Sequence, residues 1–161
     1  MKRLAVALLA TVLVLLAPSP AFAAKPTHTR IPFDQYFVDR SCGFSVGVRF
    51  VGITVDIQWT NANGDVRDFQ AYPQAKQVLT NLATGKTITT NLAGPQHLTA
   101  RADGSLTIIG TGNWGWPSNP KTSARGIYLT AGRWVFAINA QGNSSFSIVG
   151  HIVNLCPRLA T

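Results

Sequence analysis

The stretch CGFSVGVRFVGITVDIQW, running from Cys42 to Trp59, sets how the rest of the chain is read. Val46, Val48 and Phe50 alternate on even positions, whereas Ile53, Val55, Ile57 and Trp59 alternate on odd ones. Such alternation is the period of a strand with one buried face. The parity flips at Val51-Gly52. Successive strand side chains point to opposite faces, so keeping both sets on one core face requires an extra residue, as a glycine bulge supplies. Straight, the stretch would span about 50 Å, well beyond a usual strand. The expectation is one long strand bent at Val51-Gly52 around a barrel corner, with a hairpin turn there as the alternative.

Downstream, turn signals punctuate the chain at Asn63-Gly64, Tyr72-Pro73, Thr84-Gly85-Lys86, Gly94-Pro95, Asp103-Gly104, Ala131-Gly132 and Gln141-Gly142-Asn143. Each suits a hairpin reversal. The segments between them read as strands at 66–72, 77–82, 86–92, 96–101, 105–112, 126–130, 133–139 and 144–154. A chain without glutamate and rich in Thr, Val, Ile, Gly and Asn disfavours helix. The fold predicted is all-β, an antiparallel up-and-down β-barrel of about eight strands, with a β-sandwich as the alternative. Trp134, Phe136 and Ile138 share one face of a clean alternator, as do Phe146, Ile148 and Ile152. In a small barrel such an interior either packs solid or leaves room for one small apolar ligand.

Ahead of this domain, Lys2 and Arg3 precede an apolar run from Leu4 to Ala17 and the small-residue site Ala21-Phe22-Ala23. That is the anatomy of a secretory signal peptide, residues 1–23, cleaved after Ala23. The run is shorter than the roughly 20 residues of a spanning helix, and no later segment approaches that length, so no transmembrane segment is expected in the mature chain. Residues 24–41 form an N-terminal arm whose polar start, Lys25 to Arg30, is expected to be mobile. Its aromatic end, with Phe33, Tyr36 and Phe37, should pack on the fold as a helical turn or an extra strand. Residues 42–161 make the single barrel domain.

Beyond the leader, 12 Lys and Arg stand against six acids, all aspartate, and the cations form no run. A nucleic-acid surface calls for a basic stripe interleaved with aromatics, so no nucleic-acid partner is expected. Cys42 and Cys156, the only two cysteines, most simply form one disulfide in an exported protein. Closing so long a loop contributes roughly 4–5 kcal/mol on the chain-entropy model. The bridge would join the start of the first strand to the end of the last, neighbours at barrel closure.

Several catalytic patterns fail on context. Gly43-Phe44-Ser45-Val46-Gly47 matches the hydrolase nucleophile elbow, but that motif needs a strand-to-helix turn and here more strand follows. Gly110-Thr111-Gly112-Asn113-Trp114-Gly115 matches a dinucleotide fingerprint, yet Trp116-Pro117 replaces the required helix. His28, His97 and His151 have no ligand-spaced partner, so no metal or cofactor is expected. Asp56 reads as solvent-facing, and Asp56 or Asp68 as a cross-strand partner of Arg49 or Arg67. More informative are Trp114 and Trp116, two apart, followed by an irregular loop from Pro117 to Arg125 that could rim a barrel mouth. Tryptophans there can stack on a sugar or an apolar ring, with Asn113 and Asn119 offering hydrogen bonds, or simply plug the core.

Cys42-Gly43-Phe44, Thr80-Asn81, Ala83-Thr84-Gly85-Lys86, Ala93-Gly94-Pro95, Asp103-Gly104-Ser105-Leu106 and the closing Leu155-Cys156-Pro157 together resemble the small exported proteins of unknown function found in actinobacteria. The resemblance implies an extracellular, two-cysteine, all-β protein and carries no activity. The function expected is a secreted β-barrel that binds a small apolar or partly apolar ligand or a sugar, with Trp114, Trp116, Asn113, Asn119, Trp134 and Phe136 as candidate contacts. The alternatives are a barrel-type hydrolase, cyclase or isomerase using His97 or His151 with an aspartate, and an interaction protein of the cell envelope.

Overall fold

Across residues 25–160, which the computed structural model describes, alternation and turn chemistry yield nine strands and one short helix. They are β1 (Thr27–Asp39), β2 (Val46–Thr60), β3 (Val66–Ala71), β4 (Lys76–Asn81), β5 (Thr87–Asn91), β6 (Gln96–Ala100), β7 (Leu106–Ser118), β8 (Arg125–Ile138), β9 (Ser144–Asn154) and α1 (Cys156–Ala160). The signal peptide and its cleavage site lie outside the described residues.

Every pairing is antiparallel, and the path is a meander of long arms. β3 and β4 both pair with β2, at Trp59↔Arg67 and Val48↔Leu79, and so form one arm interrupted at 72–75. β5 and β6 form the next, interrupted at 92–95, because β4 pairs with β5 and β3 with β6. β7, β8 and β9 follow in order. The fold is therefore all-β and antiparallel as expected. Hydrogen bonds do not close it into a barrel: among the described residues β1 pairs only with β2, and β9 only with β8. The Cys42–Cys156 disulfide, with Cα atoms 5.2 Å apart, joins the chain ahead of β2 to the chain after β9.

The bend expected within β2 lies in its neighbour instead. β1 runs beside β2 in unbroken register from Thr27↔Gln58 to Asp39↔Val46, so β2 carries no bulge against it. Val51 faces Lys76 and Val55 faces Ala71, four steps on β2 against five on the adjoining arm. The extra residue falls in 72–75, where Gln74 takes a φ of 63°. Consequently Val46, Val48 and Phe50 share a face with Thr54 and Asp56, while Ile53, Val55, Ile57 and Trp59 occupy the opposite one. The segment Thr27–Arg30, expected to be mobile, is instead the first part of β1.

Three of the seven expected reversals are not reversals. At Tyr72-Pro73, Gly94-Pro95 and Ala131-Gly132 the chain keeps its direction, and these points line up across the sheet. Leu92 N–H donates to the Ala75 carbonyl at 2.9 Å and Asn113 N–H to that of Ala93 at 2.8 Å. Gly112 pairs with Gly132, and Gly132 with Gly150. At Gly112, with φ 91°, a Cβ would sit 2.0 Å from the Ala93 carbonyl oxygen; at Gly132 it would sit 2.1 Å from that of Val149. Only glycine accepts such backbone contact, and a row of it creases a sheet.

The crease divides the sheet into two halves. Towards the disulfide, Val46, Val48, Leu79, Ile127, Leu155 and Leu159 form the buried core, with Phe44, Phe50, Ile88, Leu129 and the cystine packed on it. α1 seats Leu159 there, and the buried Asn81 amide donates to the Leu159 carbonyl at 3.1 Å. Towards the other end lie the hairpins at 61–65, 101–105 and 139–143. There Asn61, Asp103 and Asn139 turn their side-chain oxygens onto backbone N–H groups of their own loops, the turn chemistry read in the sequence.

Candidate binding groove

β1 directs Phe33, Gln35, Phe37 and Asp39 to the face on which β2 presents Phe50, Val48 and Val46, since Gln35 pairs with Phe50 and Phe37 with Val48. Opposite stands the part of β7 beyond the crease. Between them is a groove of about 310 Å³, lined by Phe33 and Gln35 of β1 and Phe50 and Thr54 of β2. Tyr72, Ala75, Leu92 and Gly94 from the crease and Asn113, Trp114 and Gly115 of β7 complete it. A second space of about 270 Å³ shares Phe50 and Gly115 with the first and runs on past Phe37, Asp39, Gln77, Trp116 and Ile127. The two make a trough along β1, on the side where the sheet stays open.

Its aromatic wall is held from behind. Trp114 meets Tyr72 edge-on with centroids 5.4 Å apart, and meets Trp134 edge-on at 5.2 Å. Trp116 packs edge-on against both Trp134, at 5.7 Å, and Phe146, at 5.3 Å. Its indole N–H donates to the buried Thr130 hydroxyl at 3.0 Å, and that of Trp114 donates to the Thr111 carbonyl at 3.0 Å. Edge-to-face geometry lets each ring's positive edge meet a negative face. Trp134 lies over Gly110, where a Cβ would be 2.3 Å from its ring, so glycine is what admits the indole.

The Tyr72 hydroxyl donates to Gln70 Oε1 at 2.7 Å and accepts from Gln96 Nε2 at 2.8 Å; the Gln70 amide in turn donates to Asp68 at 2.8 Å. Asp56, opposite Gln70, and Asp68, opposite Gln58, are diagonal neighbours on one face of this polar run, and their carboxyls adjoin. Each has a buried carboxylate oxygen without a partner, as does the Trp134 N–H. Burial and the adjoining Asp56 carboxyl push Asp68 up to about 6, because both raise the cost of its charged form. Burial, then Asp68 and Asp56, push Tyr72 up to about 12. Arg49 and Arg67 are not the partners of these acids: Arg49 pairs with Asp34 at 2.5 Å and Arg67 approaches Asp65 at 3.8 Å.

Of the candidate contacts, Asn113 and Trp114 line the first space and Trp116 the second. Trp134 is buried behind them, and Phe136 sits on the hairpin side opposite Ile108 and Phe146. Asn119 lies apart. The expected long loop is a tight turn in which its side-chain oxygen accepts from Lys121 N–H at 2.9 Å and Thr122 N–H at 3.3 Å. Phe33, Gln35, Phe50, Thr54 and Tyr72 were not foreseen as lining residues. The alternation of Phe33, Gln35, Phe37 and Asp39 is the one signal that could have found the β1 wall.

His97 meets Phe69 at a tilt with ring centroids 4.9 Å apart, on the face opposite Asp56 and Asp68, and His151 is exposed on β9. Ser45, Asp103 and His151 sit before β2, in the β6–β7 turn and on β9, with no bond among them. Among the described residues no group of three or more His, Cys or Asp could hold a metal ion, and no helix is long and apolar enough to cross a membrane. No known family, curated protein or solved structure matches the chain.

Proposed function

We propose that this is an exported binding protein whose trough along β1 takes a small, partly apolar ligand of about the size of one aromatic or sugar ring. The observation that carries the reading is convergence. Phe33, Phe50 and Trp114, from three different strands, surround one groove together with the polar ends of Gln35, Thr54 and Asn113. Binding sites for small molecules are typically concave and mostly apolar, with a few placed polar groups and volumes from about 300 Å³ upward. The first space, about 310 Å³, stands at the lower end of that range. The rolled, unclosed sheet reads as an opened barrel whose gap is the ligand's entrance. Export is supported by the composition of the leader and by the Cys42–Cys156 bridge.

Native mass spectrometry of protein purified from culture medium tests this. The expected result is a bound small-molecule mass that is lost in Trp114→Ala and kept in Trp59→Ala, which lies on the other face of β2. Wild-type protein that carries no ligand mass and shows no saturable binding of the apolar dye anilinonaphthalene sulfonate would sink the reading.

A further inference from the structure

Large apolar side chains reach solvent at eight described positions, and seven of them lie on β1 and β9, the two long strands paired on one side only; the short β5, which pairs only with β4, carries none. The two edges are defended very differently. β1 carries Arg30, Pro32, Asp34 and Asp39, and its Asp34 is engaged by Arg49. Charges and proline are the usual guards against a second strand adding to an edge. β9, Ser144–Asn154, has neither charge nor proline along its 11 residues. The uncharged run extends from Trp134 to Pro157. At the middle of β9 stands Val149, 74% exposed, flanked by exposed Phe146 and Val153.

We propose that the free edge of β9 is a two-fold interface, on which β9 of a second copy of this chain pairs antiparallel about Val149. The edge offers unpaired main-chain N–H and C=O groups over its whole length, and an extended backbone is what satisfies them. A second copy fits for reasons of charge and pattern. Outside the leader the chain has 12 cationic side chains against six acids, so two copies repel over most of their surfaces. On this edge they meet without opposing charge to charge. In the two-fold register Val149 faces its own copy, Phe146 faces Ile152, Ser147 faces His151 and Ser145 faces Val153. Arg133, the partner of Val149 on β8, then stands three strand spacings, about 14 Å, from its copy. That exceeds the roughly 8 Å over which exposed charges act at physiological salt. The same pairing of β1 would set Pro32, which has no N–H, against the strand it must bond.

Sedimentation velocity and native mass spectrometry of the leader-free protein, disulfide intact, test the interface. Wild type should be a dimer. Val149→Lys should be a monomer with wild-type circular dichroism, since it sets two ammonium groups opposite each other. Val149→Asp should be a monomer for the same reason, and mixing the two variants in equal amounts should restore a dimer of mixed mass. The proposal is overturned by a wild type that stays monomeric, including one whose β9 instead takes up a segment of another protein. It is equally overturned by a dimer that survives Val149→Lys, or by one that Tyr36→Lys on β1 dissolves instead.

Discussion

On either side of the crease the same sheet is held together by different physics. The disulfide half is a dry core: Val46, Leu79, Leu155 and Leu159 have no exposed surface, and the chain's one cross-link lies beside them. In the hairpin half, Ile53, Val55, Ile57 and Trp59 are only partly covered, and Asp56, Asp68, Gln70 and Gln96 take up much of the other face. One half is stabilised by burial and covalent closure, the other by backbone ladders, turn chemistry and a polar network. The groove sits where the two meet, and a crease exposes side chains that a smoothly rolled sheet would bury.

Cutting the covalent tie should have the largest effect. Replacing both Cys42 and Cys156 by Ala frees a span of 114 residues, with a loss of roughly 4–5 kcal/mol on the chain-entropy model. Urea unfolding with and without reductant checks this, and reductant should destabilise only the wild type. Next comes the contrast in packing. Leu79→Ala empties a fully buried site and should cost about 3 kcal/mol, whereas Ile57→Ala, in the half-covered sheet, should cost about 1 kcal/mol. Equal losses in the same unfolding experiment would erase the distinction between the halves.

The third effect concerns the polar network and appears only at neutral pH. Asp68 is raised to about 6 in the folded protein, against about 3.9 unfolded. A raised acid binds its proton more tightly in the native state. Its stabilising contribution is therefore complete below about pH 4 and is lost as pH climbs through 6. Asp68→Asn should accordingly be more stable than wild type by up to about 3 kcal/mol at pH 7 and indistinguishable from it below pH 4. Thermal unfolding of both proteins from pH 3.5 to 8 measures the difference, and a gap independent of pH would show that the acid pair is not its source.

Much of the sheet was legible in the residues. Asn63-Gly64, Asp103-Gly104 and Gln141-Gly142 announced reversals because a short polar side chain and a glycine at positive φ, each observed near 82–84°, build the hairpin locally. Tyr72-Pro73, Gly94-Pro95 and Ala131-Gly132 carry similar residue types, yet there the chain goes straight on. A glycine permits a reversal and a crease equally well, and which one forms depends on the strands lying on both sides. The groove was legible to the extent that Asn113, Trp114 and Trp116 stand on it. Its β1 wall was legible only as one of two options, since the aromatic end with Phe33 and Phe37 reads as a helical turn or an extra strand, and the start from Lys25 to Arg30 looks too polar and proline-rich for a strand. The whole of β1 becomes one because β2 offers it 13 consecutive partners.

The sequence by itself determined the all-β class and the four hairpin reversals at Asn63-Gly64, Thr84-Gly85-Lys86, Asp103-Gly104 and Gln141-Gly142-Asn143, since these rest on alternation, propensity and turn chemistry acting within a few residues. Tertiary structure decided where the bend lies, which face of β2 is core, that the sheet stays open along β1 and β9, and that Asp56 meets Asp68. Each of these depends on register between arms distant in sequence, where a single extra residue at 72–75 is enough to move every side chain beyond it to the other face.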